Sequence, residues 1–281
     1  MRFIISGKNI DVTEGLRSNI EQKLGKLERY FTPETEIIVT LSVEKERQKI
    51  EVTIPIKGNI IRSEQESDDM YVSIDLVEEI HKIEGLDRIR LGSLDPRVVT
   101  EEVARRLAAL PKVCPHFHLS LQSGCDATLR RMNRKYTTEE YKTACNLLRE
   151  AFDTPALTTD VIVGFPGETD ELFMETYNFL KDVVKPAFIH IFPYSRRAGT
   201  PAAERKDQVQ DSIKTQRVQM LEELSATLHQ EFLEANKGVA EKVLFESTDK
   251  NGMMEGYTGN YIRVERPYDR SKIGEIVEET I

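Results

Sequence analysis

The sequence is short of the features that mark several common classes of protein. Its three cysteines, Cys114, Cys125 and Cys145, are far apart, which predicts a reducing compartment and no disulfide framework. No apolar run approaches the roughly 20 residues that a membrane-spanning helix needs. The N-terminal segment lacks the long apolar core of a signal peptide. We therefore expect a cytoplasmic protein without a membrane partner.

The chain also lacks an excess of positive charge. Its formal net charge is −9, and acidic residues outnumber basic ones both in residues 1–80 and in the remainder. A nucleic-acid partner would therefore have to be bound by local basic faces rather than by global charge. With 39% hydrophobic and 31% charged residues, the composition is typical of a soluble globular protein.

The hydrophobic pattern of the first 80 residues predicts the element order βαβββα. Residues 1–10 are expected to form a strand, and Thr13 can cap a helix whose apolar residues recur every three or four positions. A second helix is expected from Met70 to about Glu84. Between the two helices, apolar and polar residues alternate along three segments, which predicts an antiparallel meander of strands at 37–43, 50–56 and 59–66.

From Leu86 onward, short apolar strands alternate with amphipathic helices, a pattern typical of βα units and a parallel sheet. Thr100, Thr137 and Thr169 are predicted N-caps of these helices, and Glu140 gives Thr137 the spacing of a capping box. The four predicted strands are Arg88–Leu91, Phe117–Leu121, Leu157–Val163 and Phe188–Phe192.

The C-terminal part is predicted to contain one long helix and a small β-barrel. The helix extends from about Gln210 to Ala235, with five apolar residues expected to face inward: Ile213, Leu221, Leu224, Leu228 and Phe232. Residues 238–281 form several short strand-like segments interrupted by glycine, which is typical of a small barrel.

The sequence therefore predicts an α/β protein with three domains, at residues 1–82, 83–236 and 237–281. Independent domains are usually separated by exposed polar or Pro/Gly-rich linkers. Here the predicted second helix continues directly into residues 81–85, His-Lys-Ile-Glu-Gly, without such a linker. The junction between the first two domains is abrupt.

Residues 1–80, from MRFIISGKNI to YVSIDLVEEI, resemble the N-terminal domain of the long-form ribosome hibernation promoting factor. The resemblance implies binding to the decoding region of the small ribosomal subunit. Lys23 and Lys26 could contact RNA phosphates there; the alternative is that they are solvated surface charges. Where the family continues into a basic run and a ribosome-pairing domain, this chain has HKIEGLDRIR, so ribosome dimerisation is not expected.

Residues 83–281 contain five motifs that, in this order, resemble the radical-SAM tRNA methylthiotransferases, nearest to the group acting on threonylcarbamoyladenosine. The resemblance implies a parallel βα barrel, of whose six strands four are recognisable, then a small RNA-binding barrel (the TRAM domain), with tRNA as partner. The motifs are IRLGSLDPRVV at 89–99, HFHLSLQSGCDATLRRMNRKYT at 116–137, TTDVIVGFPGET at 158–169, FPYSRRAGTPAA at 192–203 and MMEGYTGNYIRV at 253–264.

The resemblance also implies binding sites, at the C-terminal strand ends where such barrels carry their functional groups. Ser195 and Arg197, after the last strand, and Tyr261 and Arg263, in the terminal barrel, are expected to contact substrate or RNA. Glycines after two earlier strands would let S-adenosylmethionine approach the backbone, although they could equally make tight turns alone. The predicted cofactor contacts are Gln122, Ser123, Gly124, Gly164, Pro166, Gly167 and Glu168.

The motif that carries the family's chemistry is missing from this sequence. The family holds a 4Fe-4S cluster with three cysteines in a C-x3-C-x2-C loop. Here ten residues separate Cys114 from Cys125 and nineteen separate Cys125 from Cys145, so we interpret all three as packing residues. His116 and His118 alternate on one strand but lack a recognisable third ligand, so no metal site and no catalytic residue is assigned.

Three functions remain open at this point. The chain is an RNA-binding remnant of a methylthiotransferase, a ribosome-binding inhibitor of translation, or a join between two genes without a function of its own. An incomplete barrel would leave exposed sheet edges. We therefore hypothesise that the N-terminal sheet, or its second helix, covers the edge next to residues 88–91.

Overall fold

The computed structural model describes residues 37–44, 47–56, 59–67, 77, 81, 86–248 and 251–281, with backbone alone at 37–67 and at 247–248. These residues belong to two compact units, one formed by Met1–Phe117 with Gly238–Ile281 and the other by His118–Lys237. The predicted strand at 1–10, the helix that begins at Thr13, and both Lys23 and Lys26 lie outside the described residues, as does most of the predicted second helix. The three predicted domain boundaries stay a prediction.

The first unit begins with the predicted antiparallel meander. Its strands are β1 (Ile37–Glu44), β2 (Arg47–Ile56) and β3 (Asn59–Ser67). In the β1–β2 register Leu41 lies opposite Ile50, and β3 pairs with the other edge of β2. The alternating pattern therefore identified all three strands to within a few residues.

A parallel pairing joins this meander to the strand that follows. Strand β4 (Ile89–Leu94) pairs in parallel with β1, with Ile37 opposite Ile89. Helix α1 (Glu101–Ala108) comes next, and the Thr100 hydroxyl accepts from the Val103 N–H as its predicted N-cap. Because β1 occupies the edge of β4, the N-terminal sheet covers that edge, as hypothesised.

Strand β5 (Val113–Leu119) follows α1 and ends where the second unit begins. It starts and stops earlier than the predicted segment 117–121. Pro115 interrupts the apolar pattern at its start, and Gln122 takes a left-handed φ of 68° just beyond its end, which turns the chain out of the strand.

The second unit has the predicted alternation of strands and helices. Strand β6 (Ala156–Val163) pairs in parallel with β7 (Phe188–Pro193), with Asp160 opposite His190. The Thr137 capping box and the Thr169 N-cap both form as predicted. The helices are α2 (Asp126–Arg131), α3 (Thr138–Ala151), α4 (Asp170–Asn178, continued as a π-helical turn at Phe179–Val184), α5 (Pro201–Glu204) and α6 (Asp211–Ala235).

Hydrogen bonds attach two of these helices, α3 and α6, to the strands of the second unit. Tyr141 of α3 donates to the Leu119 carbonyl at 2.9 Å, and Ser225 of α6 accepts from the Ile189 N–H at 3.1 Å.

Along α6, Leu221, Leu224 and Leu228 are buried as predicted, whereas Ile213 and Phe232 are only partly buried. Near the start of α6 the buried positions are instead Lys214 and Arg217, which pack against the loop after β6.

The chain returns to the first unit at residues 238–281, which form a curled four-stranded antiparallel sheet. This sheet lies where the sequence predicted a small barrel, and we call it the terminal barrel. Its strands are β8 (Ala240–Thr248), β9 (Met253–Tyr257), β10 (Arg263–Pro267) and β11 (Ile276–Thr280), in the order β10-β9-β8-β11. Val243, Phe245, Met254 and Val264 form its buried core. With four parallel strands, β4 to β7, the α/β fold class is confirmed. No helix among the described residues is long and apolar enough to cross a bilayer.

Candidate functional site

The loop after β6, Gly164-Phe165-Pro166-Gly167-Glu168, is a closed turn packed by the chain's own side chains. Gly164 and Gly167 have φ values of +72° and +81°, which side-chain-bearing residues rarely adopt. A Cβ at Gly164 would overlap Cγ of Lys214, and one at Gly167 would lie 2.5 Å from Oδ2 of Asp207. Arg131 donates to the Gly167 carbonyl. The packing therefore accounts for both glycines without a ligand.

A buried ion pair fixes this loop from within. Glu168 accepts from the Gly164 N–H at 2.8 Å and from Arg217 at 2.6 Å, and the two side chains are only 2% and 4% exposed. Arg217 also reaches Asp170 at 2.7 Å. Burial raises the pKa of Glu168, while the Gly164 N–H and the Arg217 guanidinium oppose that rise. We interpret Glu168 as the residue that holds the loop shape.

The segment after β5 is held equally tightly. Gln122 pairs through its backbone with β6, accepting from the Ile162 N–H at 2.9 Å. Ser123 is fully buried, and its hydroxyl lies 3.1 Å from the hydroxyl of Thr176 on α4. The Thr176 hydroxyl also accepts from the Gly124 N–H at 3.1 Å. A Cβ at Gly124 would lie 2.9 Å from Cα of Thr176. This segment thus anchors α4 to the sheet.

Three potential metal ligands from adjacent strands lie together in the second unit. His118, Asp160 and His190 each present one ligand atom within 4.8 Å of the other two. Nε2 of His118 is 3.2 Å from Oδ2 of Asp160, and the two imidazole centroids are 5.5 Å apart. Burial lowers the pKa of His190, and the nearby His118 lowers it further. The sequence had paired His118 with His116, but its nearest partners lie on other strands.

The loop after β7 carries the predicted substrate contacts. Ser195 and Arg197 are both exposed, as is Arg196 between them. Phe192, at the end of β7, has half of its surface exposed. Thr200 ends the loop by capping α5, its hydroxyl accepting from the Ala203 N–H at 3.4 Å. This part of the second unit therefore presents two adjacent guanidinium groups and an aromatic ring to solvent.

In the first unit, two arginines of the DRIR segment bind the backbone of the terminal barrel. Arg88 donates to the carbonyls of Tyr257, at 2.8 Å, and of Lys242. Arg90 donates to the carbonyls of Gly259, at 2.9 Å, and of Thr258, at 3.3 Å. Both side chains are buried, whereas the sequence predicted only a short apolar strand at Arg88–Leu91, so sequence reasoning missed this role.

Replacing Arg90 with methionine is expected to lower the free energy of unfolding by about 1–3 kcal/mol, because the buried Thr258 carbonyl and the part-buried Gly259 carbonyl lose this donor. Urea denaturation measures the change. Arg97→Met is the matched control, since Arg97 is exposed and pairs with Asp95 two residues away, and such surface pairs contribute about 0–1 kcal/mol. Equal losses in the two variants would contradict the role of Arg90.

The two predicted RNA contacts in the terminal barrel are both engaged within the first unit. Tyr261 is half exposed, stacks on Tyr257 at a centroid distance of 4.7 Å and has the Arg90 guanidinium 4.5 Å above its ring. Arg263 is exposed and pairs with Glu255 and with Glu265, the latter at 2.7 Å. Two carboxylates thus neutralise the charge with which Arg263 would attract phosphate.

Comparison with known proteins gives the class of protein that each part of the chain resembles. Residues 3–89 match the family model described as sigma 54 modulation protein / S30EA ribosomal protein. The C-terminal part is similar to tRNA methylthiotransferases. The N-terminal and C-terminal parts of the chain therefore resemble two different families, as the sequence predicted.

Two relatives illustrate the second resemblance. The threonylcarbamoyladenosine tRNA methylthiotransferase of Bacillus subtilis is 42% identical, over 71% of this chain and 45% of its own length. The tRNA-2-methylthio-N(6)-dimethylallyladenosine synthase of Natranaerobius thermophilus is 34% identical, over 86% of this chain and 54% of its own. Thus the chain spans about half the length of the curated relatives it matches.

One solved structure has a partial likeness. The coproporphyrinogen III oxidase of Escherichia coli, described as a radical SAM enzyme, is 19% identical with a TM-score of 0.44, over 72% of this chain and 51% of its own.

The cluster that the radical-SAM resemblance implies does not fit the residues of this chain. All three cysteines are buried. Burial raises the pKa of Cys145 to about 12 and also raises that of Cys125, which disfavours the thiolate form that holds a cluster. In the part of the chain that the structure describes, no cysteine belongs to a three-residue group that could hold a metal ion. The contacts to S-adenosylmethionine stay a prediction.

Proposed function

We propose that this chain is a fragment of a tRNA methylthiotransferase that binds tRNA but does not methylthiolate it by itself. The relatives that match its C-terminal part are named as enzymes acting on a modified adenosine of tRNA. Their chemistry as a family needs a cluster, and the three buried cysteines of this chain do not supply its ligands. Binding is therefore the part of the activity that this chain can perform alone.

The exposed loop after β7 is the observation that carries the proposal. Arg196 and Arg197 give it adjacent positive charges, which attract phosphates, and the half-exposed Phe192 offers a face on which an unpaired base can stack. Ser195 adds a hydroxyl donor beside them. Arg263 is a weaker candidate because two carboxylates pair with it.

The test is a titration of the full chain with tRNA, followed by fluorescence anisotropy at several salt concentrations. Reversing the charge of Arg196 and Arg197 together is expected to weaken binding at least about 10-fold. It should also reduce the slope of log K against log salt concentration by about 2, because about two fewer counterions are released on binding. Lys181→Glu/Lys185→Glu is the control, since it makes the same charge change at exposed residues of the same unit. Equal losses in both variants would overturn the proposal for this loop.

Activity is measured on the same material. After anaerobic incubation with iron, sulfide and S-adenosylmethionine, mass spectrometry of the tRNA nucleosides is expected to find no methylthio group. Methylthiolated adenosine formed by this chain alone would contradict the proposal.

The family match at residues 3–89 supports a second candidate, binding to the small ribosomal subunit. Cosedimentation with small subunits that is lost on charge reversal at Lys23 and Lys26 would favour it. Both candidate functions concern translation, so we propose a cytoplasmic site of action. If the chain bound neither tRNA nor ribosomes, a gene join without a function of its own would be the remaining explanation.

A further inference from the structure

We propose that His118, Asp160 and His190 form a binding site for one divalent transition-metal ion, of the zinc or cobalt type. Imidazole nitrogens and a carboxylate oxygen suit such ions, at bond lengths of about 2.0–2.2 Å. The three ligand atoms already lie within 4.8 Å of one another, so a shift of about 1 Å would close them around an ion. The site is independent of the tRNA function proposed above.

The three ligands are held in place by the sheet. His118 lies at the end of β5, Asp160 in the middle of β6, and His190 directly opposite Asp160 on β7. The neighbouring residues Thr159 and Ile189 are buried and bonded to helices α3 and α6. Because successive residues of a strand point to opposite faces, the ligands share the face away from those helices.

The orientation of His118 has the form of a metal-bound histidine. Its Nδ1 lies 2.9 Å from the hydroxyl of Thr158, which is itself buried, while its Nε2 points to Asp160 at 3.2 Å. Metal-binding histidines commonly use one ring nitrogen for the ion and donate from the other to an oxygen acceptor, which fixes the tautomer. Thr158 thus serves as the outer partner of His118.

A simple ion pair between His118 and Asp160 would leave the position of His190 unexplained. His190 is exposed and makes edge contact with Phe188 at a centroid distance of 5.0 Å, so its ring has access to solvent. Asp160 keeps part of its carboxylate exposed as well. Three protein ligands on an open face leave at least one coordination position for water or for an anionic group of a bound molecule.

The experiment is a titration of the metal-free full chain, prepared without a polyhistidine tag, with Zn2+ in a calorimeter and with Co2+ in a visible spectrometer. We expect one ion per chain and cobalt bands typical of nitrogen and oxygen ligands. His190→Ala and Asp160→Asn should each weaken binding at least about 100-fold, and Thr158→Val about 10-fold, the lower end for outer-shell partners.

Two controls keep the result interpretable. His229→Gln changes another histidine of the same unit, whose Nδ1 lies 3.0 Å from the Ala187 carbonyl, and should leave the affinity unchanged. Circular dichroism establishes that each variant is folded, and His190→Ala removes only an exposed ring. Unaltered Zn2+ affinity in both ligand variants, an absence of binding in the parent chain, or cobalt charge-transfer bands typical of thiolate would each overturn the proposal.

Discussion

Arg217→Met is expected to lower the free energy of unfolding by about 3–5 kcal/mol, because it leaves the Glu168 carboxylate buried without its partner. Both side chains are almost fully excluded from solvent and their atoms are 2.6 Å apart. The loss can be measured by urea denaturation at neutral pH. Lys142→Met is the control, since it removes an exposed pair with Glu139 that should contribute at most about 1 kcal/mol.

Two further measurements identify the uncompensated charge as the cause. The double variant Arg217→Met/Glu168→Gln should recover part of the loss, because no buried charge remains. The destabilisation should also shrink with falling pH. Burial raises the folded-state pKa of Glu168, and in the variant the Arg217 guanidinium no longer opposes that rise. Glu168 therefore binds a proton at higher pH in the variant than in the parent, and the loss shrinks as the pH falls towards the ordinary glutamate pKa of about 4.3. A single variant within 1 kcal/mol of the parent chain would refute the argument, on the ~1 kcal/mol scale of an ordinary substitution.

Gly164→Ala is expected to cost about 2–5 kcal/mol. The φ of +72° costs a side-chain-bearing residue about 1–2 kcal/mol, and the overlap of the new methyl group with Lys214 adds about 1–3 kcal/mol. Gly199→Ala is the matched control, because Gly199 has a φ of +80° but no atom within 4 Å of a Cβ built on it. The control should therefore show the backbone penalty alone.

The double variant Gly164→Ala/Lys214→Ala separates the two costs, since it removes the atoms that the new methyl group would meet. Thermal or urea unfolding should place it close to Gly199→Ala. If Gly164→Ala and Gly199→Ala proved equally stable, the packing of Lys214 against the loop after β6 would be wrong. If the double variant gained nothing over Gly164→Ala, the loss would come from the backbone alone.

Local features of the fold could be predicted from the sequence because they depend on neighbouring residues. The hydroxyls of Thr100, Thr137 and Thr169 cap helices that begin at the next residue, and alternation identified the strands β1, β2 and β3. The boundaries of β5 were missed because Pro115 and the left-handed Gln122 break the pattern at either end.

The features of the candidate sites depend on residues far apart in the sequence. Glu168 and Arg217 are 49 residues apart, and nothing in the α6 pattern distinguishes Arg217 from an exposed arginine. The group of His118, Asp160 and His190 exists only once three strands are side by side. The sequence motifs identified the glycines of the loop after β6. They did not identify the side chains that leave no room for a Cβ at those glycines.

The first compact unit is discontinuous, and this affects how the chain can fold during synthesis. Residues 118–237 separate its two segments. At about 5–20 residues per second, the ribosome would need on the order of 10 s to reach the terminal barrel after completing β5. Throughout that interval the carbonyls that Arg88 and Arg90 bind have not yet been made. The second unit can thus finish folding first, and the first unit then closes as a late, non-local step.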